Sequence, residues 1–530
     1  METSEYNTIA TRMDKLWHNG VKKAVGYAKT LPEDDFDISQ LKAATLVDGG
    51  SELRCEETII QGKEIFERLI KHDEAKVQTS YNLANALSSL TTLHQANYNI
   101  EGGEFNYQWF LDTIKDRLTA KSLFGDVVGS IQDRDLISSA YNNRANMLNA
   151  SWRWIEAKRE YEKALDYDNS NGVAAGGIIK IVMSAYWRGM VHQEILPIII
   201  PSLFKSISNG KARTIKLSGL TAFKAMMSEL EQIGVAKIPT QKTEYKLVKL
   251  SPYQKFIFKK KLYLNPVMPR EVFEPDICDS LVIDGFIPEE SIDKYKVPNI
   301  FGMFNIIKAD YLTARWLAFC YFNEELPKNS FYHDTLDYAV YGSKPSLLTL
   351  SQKLTFDILD KIAVATLSMF DKKRMESASF RNAWFHQKTN EAGKKIFLFT
   401  QWSQEISTEI NKGNLSLIAL TELSYDIYDH FRIGHSHLKR KHRLRNSSTH
   451  RFSIIHDFGF TGEYKDGPID HYGLKDIENE LIDTLFMVKA AIIYFLEVIY
   501  CRNSIIKSET KGIFGDLYVP SHKKIRGQKS

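Results

Sequence analysis

The sequence predicts an all-α protein with two helical domains joined by an irregular connector. Apolar residues recur at intervals of three and four over long stretches of both halves, a spacing that is typical of amphipathic helices. Six of the fourteen prolines fall between Gln241 and Ile300, which predicts turns and short extended pieces there. We therefore expect helical domains over residues 1–240 and 301–510, a connector over 241–300 and a basic tail over 511–530.

The composition is that of an ordinary globular protein. The 530 residues are 43% hydrophobic and 25% charged, and 69 Lys and Arg against 65 Asp and Glu give a net charge of +4. A nucleic-acid site must therefore come from local clustering of charge, because the whole chain is not a polycation. The four cysteines are widely spaced and form no CxxC pair, which favours thiols in a reducing compartment over a disulfide framework or a zinc site.

No segment is expected to cross a membrane. The most apolar stretches are Ile195–Phe204, interrupted by Pro197 and Pro201, and Ala490–Cys501, which contains Glu497. Both fall short of the roughly 20 apolar residues that a spanning helix needs. The first residues are polar and acidic, so we expect no signal peptide. We expect a cytoplasmic protein that does not associate with membranes.

Within the first domain, the segment Ser138–Asn171 predicts a pair of helices. Ala145 lies on the apolar face of the first helix, and Ala157, Tyr161 and Ala164 lie on one face of the second. Spacings of four and then three place small and large side chains alternately on that face, so that two helices can approach closely.

This segment resembles one tetratricopeptide (TPR) repeat, a helix–turn–helix unit of about 34 residues, although Asn169 stands where proline is usual. A weaker copy begins at Tyr81–Leu87, which echoes Tyr141–Met147 at an offset of 60 residues. Because this offset is not the repeat length, Glu101–Gly129 is expected to be an insertion. The resemblance implies TPR-like helical hairpin repeats; the alternative is a generic helical domain in which the small residues are coincidental.

In the second domain, three stretches predict long helices: Ser351–Phe370, Asn414–Phe431 and Leu474–Cys501. In the last of these, apolar residues are spaced by three or four throughout, so one face is expected to be buried. Asp470 is placed to begin this helix, and Lys489 is expected on its solvent side.

Positive charge is concentrated between His430 and His456, where there is no Asp or Glu. This pattern indicates a binding site for a polyanion such as RNA; the alternative is a solvated basic helix end. The basic residues are Arg432, Lys439, Arg440, Lys441, Arg443, Arg445 and Arg451, and the histidines are His430, His435, His437, His442, His450 and His456.

Three residues of this acid-free window suit RNA cleavage without a metal. The RNA 2′-OH can attack its neighbouring phosphate if a base, an acid and a cation are supplied. His450 can exchange protons near neutral pH, and Arg445 can offer a charged fork to phosphate oxygens. Asn446 can hold one of these groups or the phosphate through its amide. We expect no cofactor and no metal, and we expect RNA to be bound by Lys439, Arg440, Lys441, Arg443 and Arg451.

The run Arg445-Asn446 followed by His450 resembles the motif of the HEPN superfamily (higher eukaryotes and prokaryotes nucleotide-binding). The resemblance covers Phe301 to about Lys507, with long helices before the motif and a long amphipathic helix after it. Tyr263–Pro266 and Leu359–Ala363 look similar to the branch in which TPR-like repeats precede a HEPN helical bundle. The resemblance implies a metal-independent endoribonuclease, gated by the repeats, with a role as a toxin or in phage defence.

It also implies a homodimer, because HEPN proteins usually pair two motifs across one cleft. Residues five apart on a helix differ by about 140° around its axis, so Arg445 and His450 would not share a face of one regular helix. Either the helix breaks at Ser447–Thr449, or a second copy completes the site, with Lys439–Arg443 lining the cleft. The expected partners are RNA, a second copy of the chain, and a protein or peptide on the repeats.

Alternative interpretations remain at this point. One is a non-catalytic scaffold whose HEPN domain only dimerises or binds a nucleotide, and another is a nucleotide-binding partner of a transferase. Arg381, Asn382 and His386 have the same formal spacing as the motif, but they enclose aromatic residues and lack basic neighbours, which favours a helix end anchored by buried rings. His435, His437 and His442 match no standard zinc spacing.

Overall fold

The computed structural model describes most of the chain. The described residues are 3–71, 76–97, 106–130, 133–240, 250–267, 278–288, 297–326, 331–391, 393–431, 452–458 and 463–509, so the predicted basic tail lies outside them. They fall into two compact units. The first lies within Met1–Trp187, Ile199–Thr240 and Asp429–His437, and the second within Arg188–Ile198, Gln241–Tyr428 and Leu438–Ser530. The chain is mostly helical, which confirms the predicted fold class.

The described residues before 240 form thirteen α-helices, and each helix from α1 to α9 packs against the next one along the chain. The apolar faces of α1 to α5, α7 and α8 share one core. The helices are α1 (Thr3–His18), α2 (Val21–Thr30), α3 (Phe36–Leu53), α4 (Glu56–Leu69), α5 (Lys76–Asn97), α6 (Gln108–Asp112), α7 (Ile114–Ser130), α8 (Arg134–Ala150), α9 (Trp154–Tyr167), α10 (Gly172–Trp187), α11 (Leu196–Asn209), α12 (Lys211–Ser218) and α13 (Leu220–Gln232).

Helices α8 and α9 form the predicted hairpin, and its predicted inner face is buried. Ala145, Ala157 and Ala164 are 0% exposed, and the Tyr161 hydroxyl donates to Asn146 Oδ1. The Tyr161 ring packs on α10 at Gly177, where a Cβ would lie 2.5 Å from the ring, so only glycine fits. Alternating small and large residues therefore bring three successive helices close together.

A second hairpin corrects the prediction for the weaker copy. The segment expected to be an insertion contains α6 and α7, and α7 packs along α5 as its partner helix. The register also differs by one residue: Asn82-x-Ala84-Asn85 of α5 corresponds to Asn143-x-Ala145-Asn146 of α8, at an offset of 61. Both alanines are 0% exposed, and all four asparagines line the same cavity. The sequence pattern pairs Tyr81 with Tyr141, whereas in the structure the buried residues Ala84 and Ala145 occupy equivalent positions. Helical hairpins thus repeat here, and their identity as TPR units stays a prediction.

The described chain after residue 250 contains six helices and five short strands. Helices α15, α16 and α19 pack together, and α18 packs on α19, which confirms the three predicted helices. The helices are α14 (Pro252–Lys259), α15 (Asn299–Asn323), α16 (Ser343–Phe370), α17 (Gln404–Asn411), α18 (Ser416–Tyr428) and α19 (Leu474–Glu509), and the strands are β1 (Phe385–Thr389), β2 (Lys395–Trp402), β3 (Phe452–His456), β4 (Glu463–Asp466) and β5 (Ile469–Gly473).

The longest helix, α19, corrects two expectations. Asp470 does not begin the helix, because it lies in β5. Lys489 is not on the solvent side: it is 2% exposed, its Nζ donates to the Lys261 carbonyl oxygen at 3.0 Å, and it lies 3.9 Å from the centre of the Tyr263 ring. A lysine stem can run along apolar surface while its ammonium group finds a carbonyl and a ring face.

Two expectations about apolar segments also change. Helix α11 continues through Pro197 and Pro201, which were expected to break it; Pro197 stands in the first turn, where no N–H bond is lost. Helix α19 is long and apolar enough to cross a membrane by length and composition, contrary to expectation, but 89% of its apolar window is buried inside the protein. That burial is typical of a core helix.

The five strands were not predicted. Strands β1 and β2 form an antiparallel hairpin, and β3 and β4 flank β5, with β3 parallel and β4 antiparallel to it. Each of β1, β3, β4 and β5 has only four or five residues, and β1 is exposed along most of its length. Such strands carry too short an alternation of apolar and polar residues to stand out in the sequence.

Candidate functional site

The predicted cleavage motif and its basic neighbours lie outside the described residues. This applies to the proposed catalytic residues Arg445, Asn446 and His450 and to the proposed RNA-binding residues Lys439, Arg440, Lys441, Arg443 and Arg451. The structure describes the chain on both sides of this segment. Before it, the buried helix α18 ends at Tyr428, and after it β3 begins at Phe452.

The chain that follows the motif forms a strand of a small sheet. Strand β3 pairs with β5 over its whole length, from Phe452 opposite Ile469 to His456 opposite Gly473. Strand β5 runs directly into α19, the central helix of this unit. Phe452, the first described residue after the motif, is therefore paired with the strand that leads into α19.

Two histidines meet in this sheet. His456 is 4% exposed and His471 is 6% exposed; their rings stack with centres 5.1 Å apart, and His456 Nε2 lies 2.8 Å from His471 Nδ1. His456 Nδ1 lies 2.8 Å from the Asp337 carbonyl oxygen. A carbonyl oxygen only accepts hydrogen bonds, so His456 Nδ1 carries the proton of this bond.

This assignment fixes what the pair can do with protons. In neutral His456, Nε2 accepts from His471 Nδ1. If the shared proton moves along this contact, Nε2 becomes the donor and His471 Nδ1 becomes the acceptor. The pair can therefore pass one proton across its 2.8 Å contact, as a general acid or base relay requires.

A carboxylate beside the pair makes a set of three potential metal ligands. The ligand atoms of Asp337, His456 and His471 all lie within 4.8 Å of one another. A hydrogen bond from Thr335 is the main cause that lowers the pKa of the Asp337 carboxyl, which therefore stays ionised well below neutral pH. Two imidazoles and one carboxylate are donors that zinc accepts. Sequence reasoning missed this set, because His456 counted only as one of six histidines and its partners lie in other segments.

The alternative motif is a structural turn. The Asn382 side chain accepts from the Ser379 backbone N–H at 2.9 Å, and Trp384 and Phe385 are fully buried. The buried rings confirm one part of the interpretation, but the segment leads into β1 instead of ending a helix. Arg381 and His386 are exposed on this turn and strand, respectively.

The first unit contains a second candidate site, a polar cavity of about 460 Å³. Asn82 and Asn85 of α5 face Asn143 and Asn146 of α8 across it, and Asn143 Nδ2 donates to Asn85 Oδ1 at 2.8 Å. Asp48 of α3 also lines it, whereas no lysine or arginine is among the described lining residues. Amide groups that both donate and accept suit an extended peptide backbone, and Asp48 favours a cation.

Asp48 provides a test of this cavity. The side chain is partly exposed in the cavity, but the packed helices around it reduce its contact with water, and this desolvation raises the pKa of its carboxyl to about 6. A folded-state pKa above the unfolded one adds stability below about pH 4, which is lost as the pH rises through about 6. We expect Asp48→Asn to unfold with a free energy higher by about 1 kcal/mol at pH 7.5 and little changed at pH 4, after discounting for the exposure of the carboxyl.

Urea unfolding at both pH values measures this difference. Glu52→Gln, an exposed acid on the same helix, is the control and should show no such pH dependence. Equal stabilities of wild type and Asp48→Asn at both pH values would contradict a desolvated carboxyl in the cavity.

Part of the chain resembles a known protein family. Residues 292–502 match the family model described as LA2681-like HEPN. The match supports membership of this part of the chain in the HEPN superfamily, and it covers the sheet, the histidine pair and the predicted motif. No curated protein and no solved structure matches the chain.

Proposed function

We propose that the protein is a metal-independent endoribonuclease that cleaves RNA by attack of the 2′-OH on the adjacent phosphate. The observation that carries the proposal is the Arg445-Asn446…His450 motif, in an acid-free window, inside residues that match a HEPN family model. Arg445 binds the phosphate, and His450 moves the proton. The strand ladder from Phe452 supports this role, because a catalytic segment must be held in place by rigid elements.

The other parts of the chain have proposed roles in the same function. A second copy of the chain completes the cleft, because Arg445 and His450 do not share a face of one regular helix. The hairpin repeats bind a protein or peptide and gate the nuclease, as a toxin or phage-defence enzyme requires, since an ungated nuclease would harm its own cell. The polar cavity between α3, α5 and α8 supports a peptide ligand for the repeats.

The proposal is tested by cleavage of RNA in the presence of a chelator. We expect purified protein to cut a labelled RNA equally well with and without EDTA. Attack by the 2′-OH breaks the bond from phosphorus to the 5′ oxygen, so the fragments should end in a 2′,3′-cyclic phosphate and begin with a 5′-OH. Mass spectrometry of the fragments identifies these ends.

The same test also distinguishes metal-dependent chemistry, for which Asp337, His456 and His471 could supply the ligands. Loss of cleavage in EDTA, its return with Zn²⁺ and its loss in His456→Ala would contradict metal independence and move the chemistry to that set. Absence of cleavage with and without Zn²⁺ would favour the non-catalytic scaffold, in which the HEPN domain only dimerises or binds a nucleotide.

A further inference from the structure

Exposed aromatic side chains are concentrated around the small sheet. Among the described residues, thirteen large apolar side chains are exposed, and seven of them lie in 331–341 or 452–458. Monomeric proteins rarely gather so many apolar groups on one solvent-facing surface without a binding role. The rings of this aromatic surface belong to Phe331, Tyr332, Tyr338, Tyr341, Phe452 and Phe458.

The backbone holds this surface in place. The Val340 N–H donates to the Ile455 carbonyl at 2.8 Å, and the Asp457 N–H donates to the Tyr338 carbonyl at 3.2 Å, so 338–340 line the edge of β3. Leu336 and Tyr338 adopt left-handed conformations with φ of 57° and 60°. Such conformations cost roughly 1–2 kcal/mol each, and they concentrate at binding sites where a side chain must be presented outward.

Four of these rings contact one another in two pairs and remain largely exposed. Tyr338 and Phe458 meet edge to face with centres 5.3 Å apart, and Tyr332 and Tyr341 lie at 21° with centres 6.2 Å apart. Tyr338 is 63% exposed and Phe458 is 68% exposed. Fixed and exposed ring faces are what unpaired nucleic-acid bases stack on.

The aromatic segments and the acid-free window differ in charge. Asp334, Asp337 and Asp457 belong to the same two segments as the rings, so these segments do not attract phosphates. The acid-free window supplies the positive charge, and its last basic residue, Arg451, directly precedes Phe452. Because Arg451 and Phe452 are adjacent in the chain, an RNA strand bound through its phosphates to the end of the basic window is within reach of the rings.

We propose that the aromatic surface, part of which directly follows the cleavage motif in the chain, is a stacking platform for unpaired RNA bases. The inference rests on the proposed function, because it assumes an RNA ligand on the basic window. Duplex RNA is excluded from the platform, since its bases are stacked on one another and its exposed edges offer no free faces.

The test measures RNA affinity in full-length protein that carries His450→Ala, so that RNA stays intact. A labelled 12-nucleotide single strand and a duplex of the same length are titrated by fluorescence anisotropy. We expect Phe458→Ala and Tyr338→Asn each to weaken single-strand binding by roughly 5- to 100-fold, the range found when a stacking ring is removed. Asparagine is used at 338 because it tolerates the left-handed backbone. Duplex affinity should not change.

Three controls define the outcome. Tyr338→Phe keeps the ring and should bind as wild type, as should Trp316→Ala, which removes an exposed ring of α15. The salt dependence of binding should be unchanged in Phe458→Ala and reduced in Arg443→Ala, because stacking releases no counterions.

The alternatives give different results. Wild-type affinity in both ring variants would overturn the platform and leave the proposed function standing, whereas failure of the parent protein to bind RNA would overturn both. A change of oligomeric state by light scattering, with RNA affinity unchanged, would make the surface an interface between copies and also overturn the platform.

Discussion

Replacing His450 with alanine is expected to abolish RNA cleavage while leaving RNA binding intact. A positioned acid or base contributes about 10²- to 10⁴-fold to proton transfer, so the single-turnover rate should fall by at least that lower value. The charge that attracts the phosphates remains, because seven Lys and Arg of the acid-free window are untouched. Cleavage of a labelled RNA and anisotropy with the same RNA measure the two quantities separately.

The chain offers a matched control for this experiment. His386 stands five residues after Arg381, as His450 does after Arg445, but it is exposed on β1 beside a structural turn. His386→Ala should therefore cleave as wild type. Retention of cleavage in His450→Ala with loss in His386→Ala would show that the other motif is the catalytic one. Retention in both would assign the activity to a different residue set or to a contaminating nuclease.

The helices could be predicted because they are long and their apolar residues are regularly spaced. The stripe in α16 is one example: Phe356, Leu359, Ile362, Ala363 and Leu367 were expected inside and are all buried. The strands escaped prediction because their pairing joins distant segments. Ala339 bridges to His456, and β3 pairs with β5 across a stretch that includes a third strand.

The same reason limits what the sequence shows of the site. The motif at 445–450 can be recognised because its residues are adjacent, whereas Asp337, His456 and His471 come together only through the fold. Exposure is equally a tertiary property. Tyr and Phe are residue types that are commonly buried, and only the structure shows that Tyr338 and Phe458 are exposed to solvent.

Charged residues were the least predictable, because a sequence does not say which of them are buried with partners. Arg315 of α15 is 1% exposed and binds both carboxylate oxygens of Asp279, at 2.8 and 2.6 Å. It also donates to the Leu262 carbonyl at 2.9 Å and to the Tyr253 hydroxyl at 3.0 Å. The Arg315 guanidinium thus holds two segments of the predicted connector, 250–267 and 278–288, against α15.

Arg315→Ala is expected to lower the free energy of unfolding by about 3–5 kcal/mol, since it leaves a largely buried carboxylate without its partner. Lys361→Ala is the matched control: it breaks an ion pair with Asp310 between α16 and α15 whose lysine is 43% exposed. That change should cost about 1 kcal/mol or less. Urea unfolding measures both, and hydrogen exchange in α15 identifies the unit that unfolds.

The pH dependence separates a lost ion pair from lost packing. Desolvation on its own raises the pKa of the Asp279 carboxyl, but the hydrogen bonds and charge of Arg315 outweigh it and hold the pKa below its usual range. The pair therefore stabilises wild type above about pH 4, and this stability is lost as the pH falls through the lower folded-state pKa. In Arg315→Ala the desolvation is opposed only by the Leu264 N–H and by the charge of Lys308, so the pKa of the Asp279 carboxyl rises and protonation relieves the variant as the pH falls. The difference in unfolding free energy should shrink towards pH 4, whereas a deficit in packing alone would stay constant.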